Sequence, residues 1–334
     1  MKILAFGEVM MRMMPSNYKT LSQTNTLEFL FTGTGINVLS GLYQMGHQVY
    51  IVTKLPDNNV GKAASAEIRK LGIHDCYICY GGNHIGIYFL EQGIGNRASQ
   101  VTYLNRKDSS FCLSQISDYD FSCLDGMDAL HICGISLAVN ENLRQITYKF
   151  IEEAKKRHVK IIFDCNYRPS LWAHQSFCAK EIYENVLKQA DIVFAGLKDA
   201  TLLLNKKIDS SLSHIEQIKE ACRQMSHDYQ IETIFGTIRN TQNHISTLNG
   251  YMYNSNQFLM SPSYELTIYD RIGAGDGFAA GAIHGYFSNM DPHLLIQYAT
   301  VSGLLAHTTY GDSPIIGEDT ILDFIKNGCV LLKR

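Results

Sequence analysis

The chain has 334 residues, with 29 Lys and Arg against 32 Asp and Glu and a formal net charge of −3. That balance argues against a protein that coats nucleic acid, which would carry basic runs or a basic excess. Hydrophobic residues make up 46% and charged residues 18%, so the chain can bury a large core and is not globally disordered.

In chain order, Ile3–Phe6 reads as a short buried strand. Residues 9–32 break the pattern that follows and read as antiparallel strands and turns. A helix is expected over Asn37–Met45 and a strand over Val49–Thr53. Asp57-Asn58-Asn59 supplies a cap for a helix ending near Leu71-Gly72. Cys76-Tyr77-Ile78-Cys79 has Cys-x-x-Cys spacing, but no second pair follows at zinc-ribbon distance. A strand with the two thiols on opposite faces is the plainer reading. Residues 86–106, with Tyr-Phe-Leu and Val-Thr-Tyr runs, again read as antiparallel. Ala129–Cys133 and Lys160–Asp164 are strands flanking the amphipathic stretch Glu141–Arg157, in which Leu143, Ile146, Phe150, Ile151 and Ala154 share one face. Asp191–Ala195 and Glu232–Gly236 are further strands. The last third holds helix candidates at Ala274–Asn289, Pro292–His307 and Glu318–Lys326.

Alternating strands and helices imply a largely parallel sheet covered on both faces. The two β-rich interruptions suggest a small sheet over a site, a lid built from residues 9–32 and 86–106 within one domain spanning 1–334. Nine cysteines, an odd number, scatter through apparent core segments. A chain this long folds without disulfides, so reduced, buried thiols are expected. No apolar run approaches the roughly 18–20 residues that span a bilayer. The N-terminus lacks the basic head, apolar region and cleavage site of a secretory signal. A cytoplasmic protein is expected.

The strongest motif is Asp270-Arg271-Ile272-Gly273-Ala274-Gly275-Asp276-Gly277, a glycine turn opening a helix rich in small residues. Glycines permit positive φ and close backbone approach. Unpaired N–H groups at a helix start form an anion site. Asp276 falls in the first turn, where the helix dipole favours the carboxylate. Beside a bound phosphate it would accept a proton from a hydroxyl, a phosphotransferase arrangement. The alternative is a close-packed helix with an acidic first turn.

These residues resemble the Asp-Thr-x-Gly-Ala-Gly-Asp motif of ribokinase-type (phosphofructokinase-B) carbohydrate kinases. Arg in second place is typical of the 2-keto-3-deoxygluconate kinases. Three further blocks resemble the same group in collinear order from residue 1 to about 327: Phe6–Met13, Gly33-Thr34-Gly35-Ile36-Asn37-Val38, and Asp164-Cys165-Asn166-Tyr167-Arg168-Pro169-Ser170-Leu171-Trp172. The resemblance implies an α/β fold, a ribokinase-like three-layer α/β/α sandwich with a small β-sheet lid. It implies a sugar bound between lid and sheet, ATP with Mg²⁺ beside the last strands, and a homodimer or higher homo-oligomer.

By that resemblance Asp276 is the catalytic base, and the N–H groups of Gly273, Ala274, Gly275 and Asp276 form the anion hole. A sugar acid's carboxylate is best held by forked Arg pairs, and Arg106 and Arg168 sit where substrate contacts fall. Gly33, Asn37, Tyr88, Tyr103 and Asp312 are further substrate candidates. Gly236, Thr237, Arg239, Gly275 and His307 are candidates for the nucleotide, although a lone His near a helix end is more often structural. Arg12 reads as a structural cation of the lid. The chain departs from the family at its Asn-x-x-Glu motif, where Gly196-Leu197-Lys198-Asp199-Ala200 stands instead, leaving Asp199 as an indirect Mg²⁺ contact. The expected activity is ATP-dependent phosphorylation of 2-keto-3-deoxygluconate. The alternatives are a kinase for another small sugar such as fructose, or a non-catalytic sugar-binding relative.

Overall fold

The computed structural model describes residues 1–172, 178–242 and 245–329. Seven parallel strands form the centre of a ten-stranded sheet: β1 (Lys2–Phe6), β4 (Gln48–Leu55), β5 (His74–Tyr80), β8 (Ala129–Cys133), β9 (Lys160–Asp164), β10 (Ile192–Phe194) and β11 (Thr233–Gln242). Three antiparallel strands complete it: β12 (Ile245–Asn254), β13 (Gln257–Met260) and β14 (Tyr264–Glu265). The order is β13-β12-β11-β10-β9-β8-β1-β4-β5, with β14 on β12.

Side-chain alternation splits the core in two. Leu4, Phe6, Leu130, Ile132, Ile161, Phe163, Val193 and Ile234 face one cluster. Ile3, Ala5, Ala129, Ile162, Ile192, Phe194 and Phe235 face the other. A period of two that buries both phases requires helices on both faces. One layer holds α3 (Ile135–Val139), α4 (Glu141–Lys156), α5 (Pro169–Trp172), α6 (Ala179–Leu187) and α7 (His214–Tyr229). The other holds α1 (Thr34–Gln44), α2 (Asn59–Lys70), α8 (Ala274–Phe287), α9 (Pro292–Ala306) and α10 (Glu318–Asn327). This is the expected three-layer sandwich. Asn58 caps α2, its side chain accepting from the N–H groups of Val60 and Gly61. The face of α4 expected to be buried is buried.

The second sheet has the order β3-β2-β6-β7, built from β2 (Met10–Met14), β3 (Glu28–Thr32), β6 (Gly86–Glu91) and β7 (Gln100–Leu104). All four strands fall inside the two stretches that break the sequence alternation.

Several elements depart from the sequence reading. The strand expected to stop at Gly236 continues to Gln242 and returns as β12, each residue from Thr233 to Gln242 pairing across the hairpin. Beyond Ile238 it is mostly exposed, so there is little apolar pattern to read and the partner strand fixes it. α6 and α7 were not anticipated. The signal for α7 was present: Ser213 and Glu216 form a capping box, and Ile218, Ala221, Cys222, Met225 and Tyr229 are buried at helical spacing. Among the described cysteines none is in a disulfide, and five of the nine are buried. Cys76 and Cys79 lie on β5, a strand, as expected.

Candidate active site

A cavity of about 960 Å³ lies between the smaller sheet and the carboxyl ends of the parallel strands, where ligands bind in open α/β folds. β9 ends at Asp164, and Asn166 and Arg168 follow in the cavity wall. β10 runs into Ala195-Gly196, and Asp199 opens a π-helical turn, Asp199–Leu203. β11 contributes Phe235, Gly236 and Thr237. The smaller sheet supplies Met10, Thr32, Tyr88, Val101 and Tyr103. Arg271, Ile272, Gly273, Gly275 and Asp276 close the floor.

Gly273 is the N-cap of α8, with φ +85°. A Cβ there would lie 1.7 Å from the Asp312 carbonyl oxygen, so only glycine fits both the dihedral and the space. Ala274, Gly275 and Asp276 follow in the first turn, where N–H groups have no carbonyl one turn back to bond. At Gly275 nothing lies within 4 Å of where a Cβ would sit. The helix N-terminus therefore opens onto space for an anion.

Asp276 accepts a 2.7 Å hydrogen bond on Oδ2 from the Asn37 amide. Ser313 Oγ donates to the Asn37 oxygen at 3.1 Å, which orients that amide. Burial raises the Asp276 carboxyl well above the usual range, and Asp164 and Asp312 push it further, while Asn37 and Arg168 pull it down. The sequence reading expected the helix dipole to dominate and favour the anion. A first-turn dipole is worth about 0.3–1 kcal/mol, and burial together with two neighbouring carboxylates outweighs it. Asp164 is raised to about 7, first by burial and then by Asp199, against Arg168 and Asn166. Burial likewise raises Asp199, whose Oδ2 accepts the Gly196 N–H at 2.7 Å. Arg168 thus acts on all three carboxylates, and among the described residues it makes no ion pair.

Of the residues singled out from sequence, Gly33, Asn37, Tyr88, Tyr103, Arg168, Asp199, Gly236, Thr237, Gly273, Gly275, Asp276 and Asp312 line this cavity. Ala274, Arg106, Arg239 and His307 do not. Ala274 is buried behind the turn. Arg106 is drawn aside by Glu8, whose Oε2 accepts from its Nε and Nη2, each at 2.8 Å, and it lies over the Tyr103 ring. Arg239 Nη2 meets His307 Nε2 at 2.7 Å, and His307 Nδ1 meets the Gly303 carbonyl at 2.7 Å. His307 therefore bonds through both ring nitrogens inside the fold, and burial lowers its pKa. Asp312 lines the cavity, yet both its oxygens are engaged, Oδ1 by Arg12 and Oδ2 by Thr32 at 2.6 Å and Tyr88 at 2.8 Å. Sequence reasoning missed Asp164 and Arg271. Both stand inside quoted motifs, but nothing in a linear string says that β9 ends beside α8.

Among the described residues no group of three or more His, Cys, Asp or Glu is placed to hold a metal, and no helix is long and apolar enough to cross a membrane.

The family model for pfkB family carbohydrate kinases matches residues 1–316. Among solved structures, a proposed 2-keto-3-deoxygluconate kinase from Enterococcus faecalis is 39% identical, with a TM-score of 0.94 covering 100% of this chain and 98% of the other. A 2-dehydro-3-deoxygluconokinase from Thermotoga maritima is 30% identical, with a TM-score of 0.92 and 98% of each chain covered. A 2-dehydro-3-deoxygalactonokinase from Haloferax volcanii is 24% identical over 98% of this chain and 97% of its own. With the glycine turn, the Asp276 helix start and the three-layer fold already in place, the chain belongs to the pfkB family of carbohydrate kinases.

Proposed function

We propose that the protein phosphorylates a six-carbon 2-keto-3-deoxy sugar acid, 2-keto-3-deoxygluconate in the first instance, on its terminal hydroxyl with ATP as donor. The observation that carries this reading is the joint position of Asp276 and Arg168 in one cavity: a carboxylate at an open helix N-terminus, and a cation that makes no ion pair among the described residues. A neutral sugar offers such an Arg only uncharged oxygens, whereas a sugar acid supplies a carboxylate for its planar fork. The names of the relatives agree with an acid substrate.

In this mechanism Asp276 takes the proton of the sugar hydroxyl. The freed oxygen bonds to the γ-phosphorus, the bond from that phosphorus to the bridging oxygen breaks, and ADP leaves with the electron pair. Burial makes the ionised Asp276 a stronger base, and Asn37 and Arg168 pull it back toward ionisation. The N–H groups at the start of α8 receive the charge on the transferred group. Thr32, Tyr88 and Tyr103 from the smaller sheet pack over the sugar, so that sheet acts as a lid that excludes water from the transfer. Gly236 and Thr237 border the nucleotide.

Mg²⁺ would be held by Asp164 and Asp199, largely through water. The fit is chemical: both are oxygen donors on the cavity wall, both are raised by burial with Asp199 acting on Asp164, and Arg168 acts on both carboxylates. The ion supplies charge neutralisation on the phosphates.

An ATP-coupled screen over 2-keto-3-deoxygluconate, its C4 epimer, fructose and ribose tests the reading. The acids should give the highest kcat/KM. Arg168→Ala should raise KM for the acid about 10–100-fold, the worth of a charged hydrogen bond, and leave any neutral-sugar KM nearly unchanged. A neutral sugar turned over as well as the acids, or binding without turnover of any sugar, would overturn it.

A further inference from the structure

The smaller sheet carries a buried cation that the chemistry above does not use. On β2 the inward face reads Met10, Arg12, Met14, so a guanidinium interrupts an apolar row. Arg12 has no exposed surface. It is ion-paired to two carboxylates far away in sequence: Nη1 to Asp312, and Nη2 to Asp270 at 3.0 Å. Nη2 also meets Met14 Sδ at 2.9 Å, and Nε has no hydrogen-bond partner among the described residues. A buried ionic triad of this kind is generally no more stabilising than well-packed apolar side chains of the same volume, so stability alone is a poor reason for it.

What the triad does is geometric. Asp270 lies three residues before Gly273 in the chain, and the Asp312 backbone packs against Gly273. Asp270 starts the glycine turn, and its Oδ1 accepts the Ile272 N–H at 3.2 Å. Asp312 presses its carbonyl against Gly273 Cα, closing the space a Cβ would need. Arg12 is paired in register with Leu30 on β3 and Tyr88 on β6. The Asp312 carboxylate also takes Thr32 from β3 and Tyr88 from β6. Three strands of the smaller sheet thus converge on the two segments that grip the turn.

We propose that Arg12 is a positioning residue for phosphoryl transfer: its guanidinium joins Asp270, which starts the glycine turn, to Asp312, whose backbone packs on Gly273, fixing the aim of the α8 N–H groups and of Asp276, and ties that aim to the seating of the smaller sheet. The inference rests on the kinase reading for the reaction it serves, but not for its geometry.

Arg12→Lys keeps the charge and loses the fork that reaches both carboxylates. It should lower kcat about 100-fold, the scale of a displacement of about 1 Å in a site, while KM for ATP and for the sugar acid stays within about 3-fold. Combined with Asp276→Asn, it should cost less than about 3-fold further, because both act through one aim. Backbone hydrogen exchange should quicken at least 10-fold across residues 271–276, and stay unchanged in β8 and β9. If Arg12→Lys does not fold, Asp270→Asn, which removes one arm of the clamp and one buried charge, should give the same pattern. Unchanged kcat and exchange in a folded variant, or a kcat loss fully additive with Asp276→Asn, would overturn the proposal. A wild type inactive on every sugar, with the exchange result intact, would fail the functional reading and leave the clamp standing.

Discussion

Asp164 makes the site costly to keep ionised, and the cost can be measured. Its carboxyl titrates at about 7 in the folded chain, raised first by burial and then by Asp199, against about 3.9 in an unfolded chain. Between those values the folded state holds a proton that the unfolded state has released. Stability therefore falls as pH rises from about 4 to about 7, and is flat above. Three units correspond to about 4 kcal/mol at about 1.4 kcal/mol per unit. Asp164 lines the cavity and is only partly buried, which lowers the expected figure to about 2–4 kcal/mol. Asp164→Asn removes this penalty and can still accept the Asn166 N–H that Asp164 Oδ1 accepts at 3.0 Å. Urea denaturation in EDTA should find Asp164→Asn more stable than wild type by about 2–4 kcal/mol at pH 8, and by less than about 1 kcal/mol at pH 4.5. The same difference at both pH values, or a variant less stable at pH 8, would refute the argument. It would mean that burial does not govern this carboxylate.

Asp276→Asn should lower kcat by about 10²–10⁴-fold, the usual contribution of a general base, with sugar binding still measurable by calorimetry; near-normal kcat would remove Asp276 from the role. Because burial raises its carboxyl, wild-type kcat/KM should fall with decreasing pH along a limb displaced above the ordinary carboxylate range, and a profile flat down to pH 5 would contradict that direction. Gly273→Ala forces a Cβ to within 1.7 Å of the Asp312 carbonyl at φ +85°. It should cost about 2–4 kcal/mol in denaturation midpoints, as the sum of left-handed strain and overpacking, and most of kcat. Adding EDTA should abolish turnover, and Asp199→Asn should raise the Mg²⁺ concentration for half-maximal rate.

Periodicity alone gave the α/β class, because strands buried on both faces and helices with one apolar stripe leave local patterns that need no partner to be read. The glycine turn was legible for a similar reason: Gly273 must adopt positive φ, and the sequence marks it with a Gly-Ala-Gly run. Asp276 was legible as a first-turn carboxylate, but its ionisation was not. Its carboxyl is raised first by burial and further by Asp164 and Asp312, 112 and 36 residues distant in the chain. Arg106 was expected to hold the substrate carboxylate, from the resemblance and the fit of a guanidinium to a carboxylate. Only the tertiary structure brings Glu8 against it. Arg12 was read as a structural cation of the lid, but its partners were not legible: packing alone sets it between Asp270 and Asp312. The long β11–β12 hairpin was missed because exposed strand residues carry no apolar phase. Local rules, set by dihedrals and by the apolar phase, fixed the elements and the turn. Charge pairing, burial and the cavity wall depend on which strand ends meet, and that only the folded chain decides.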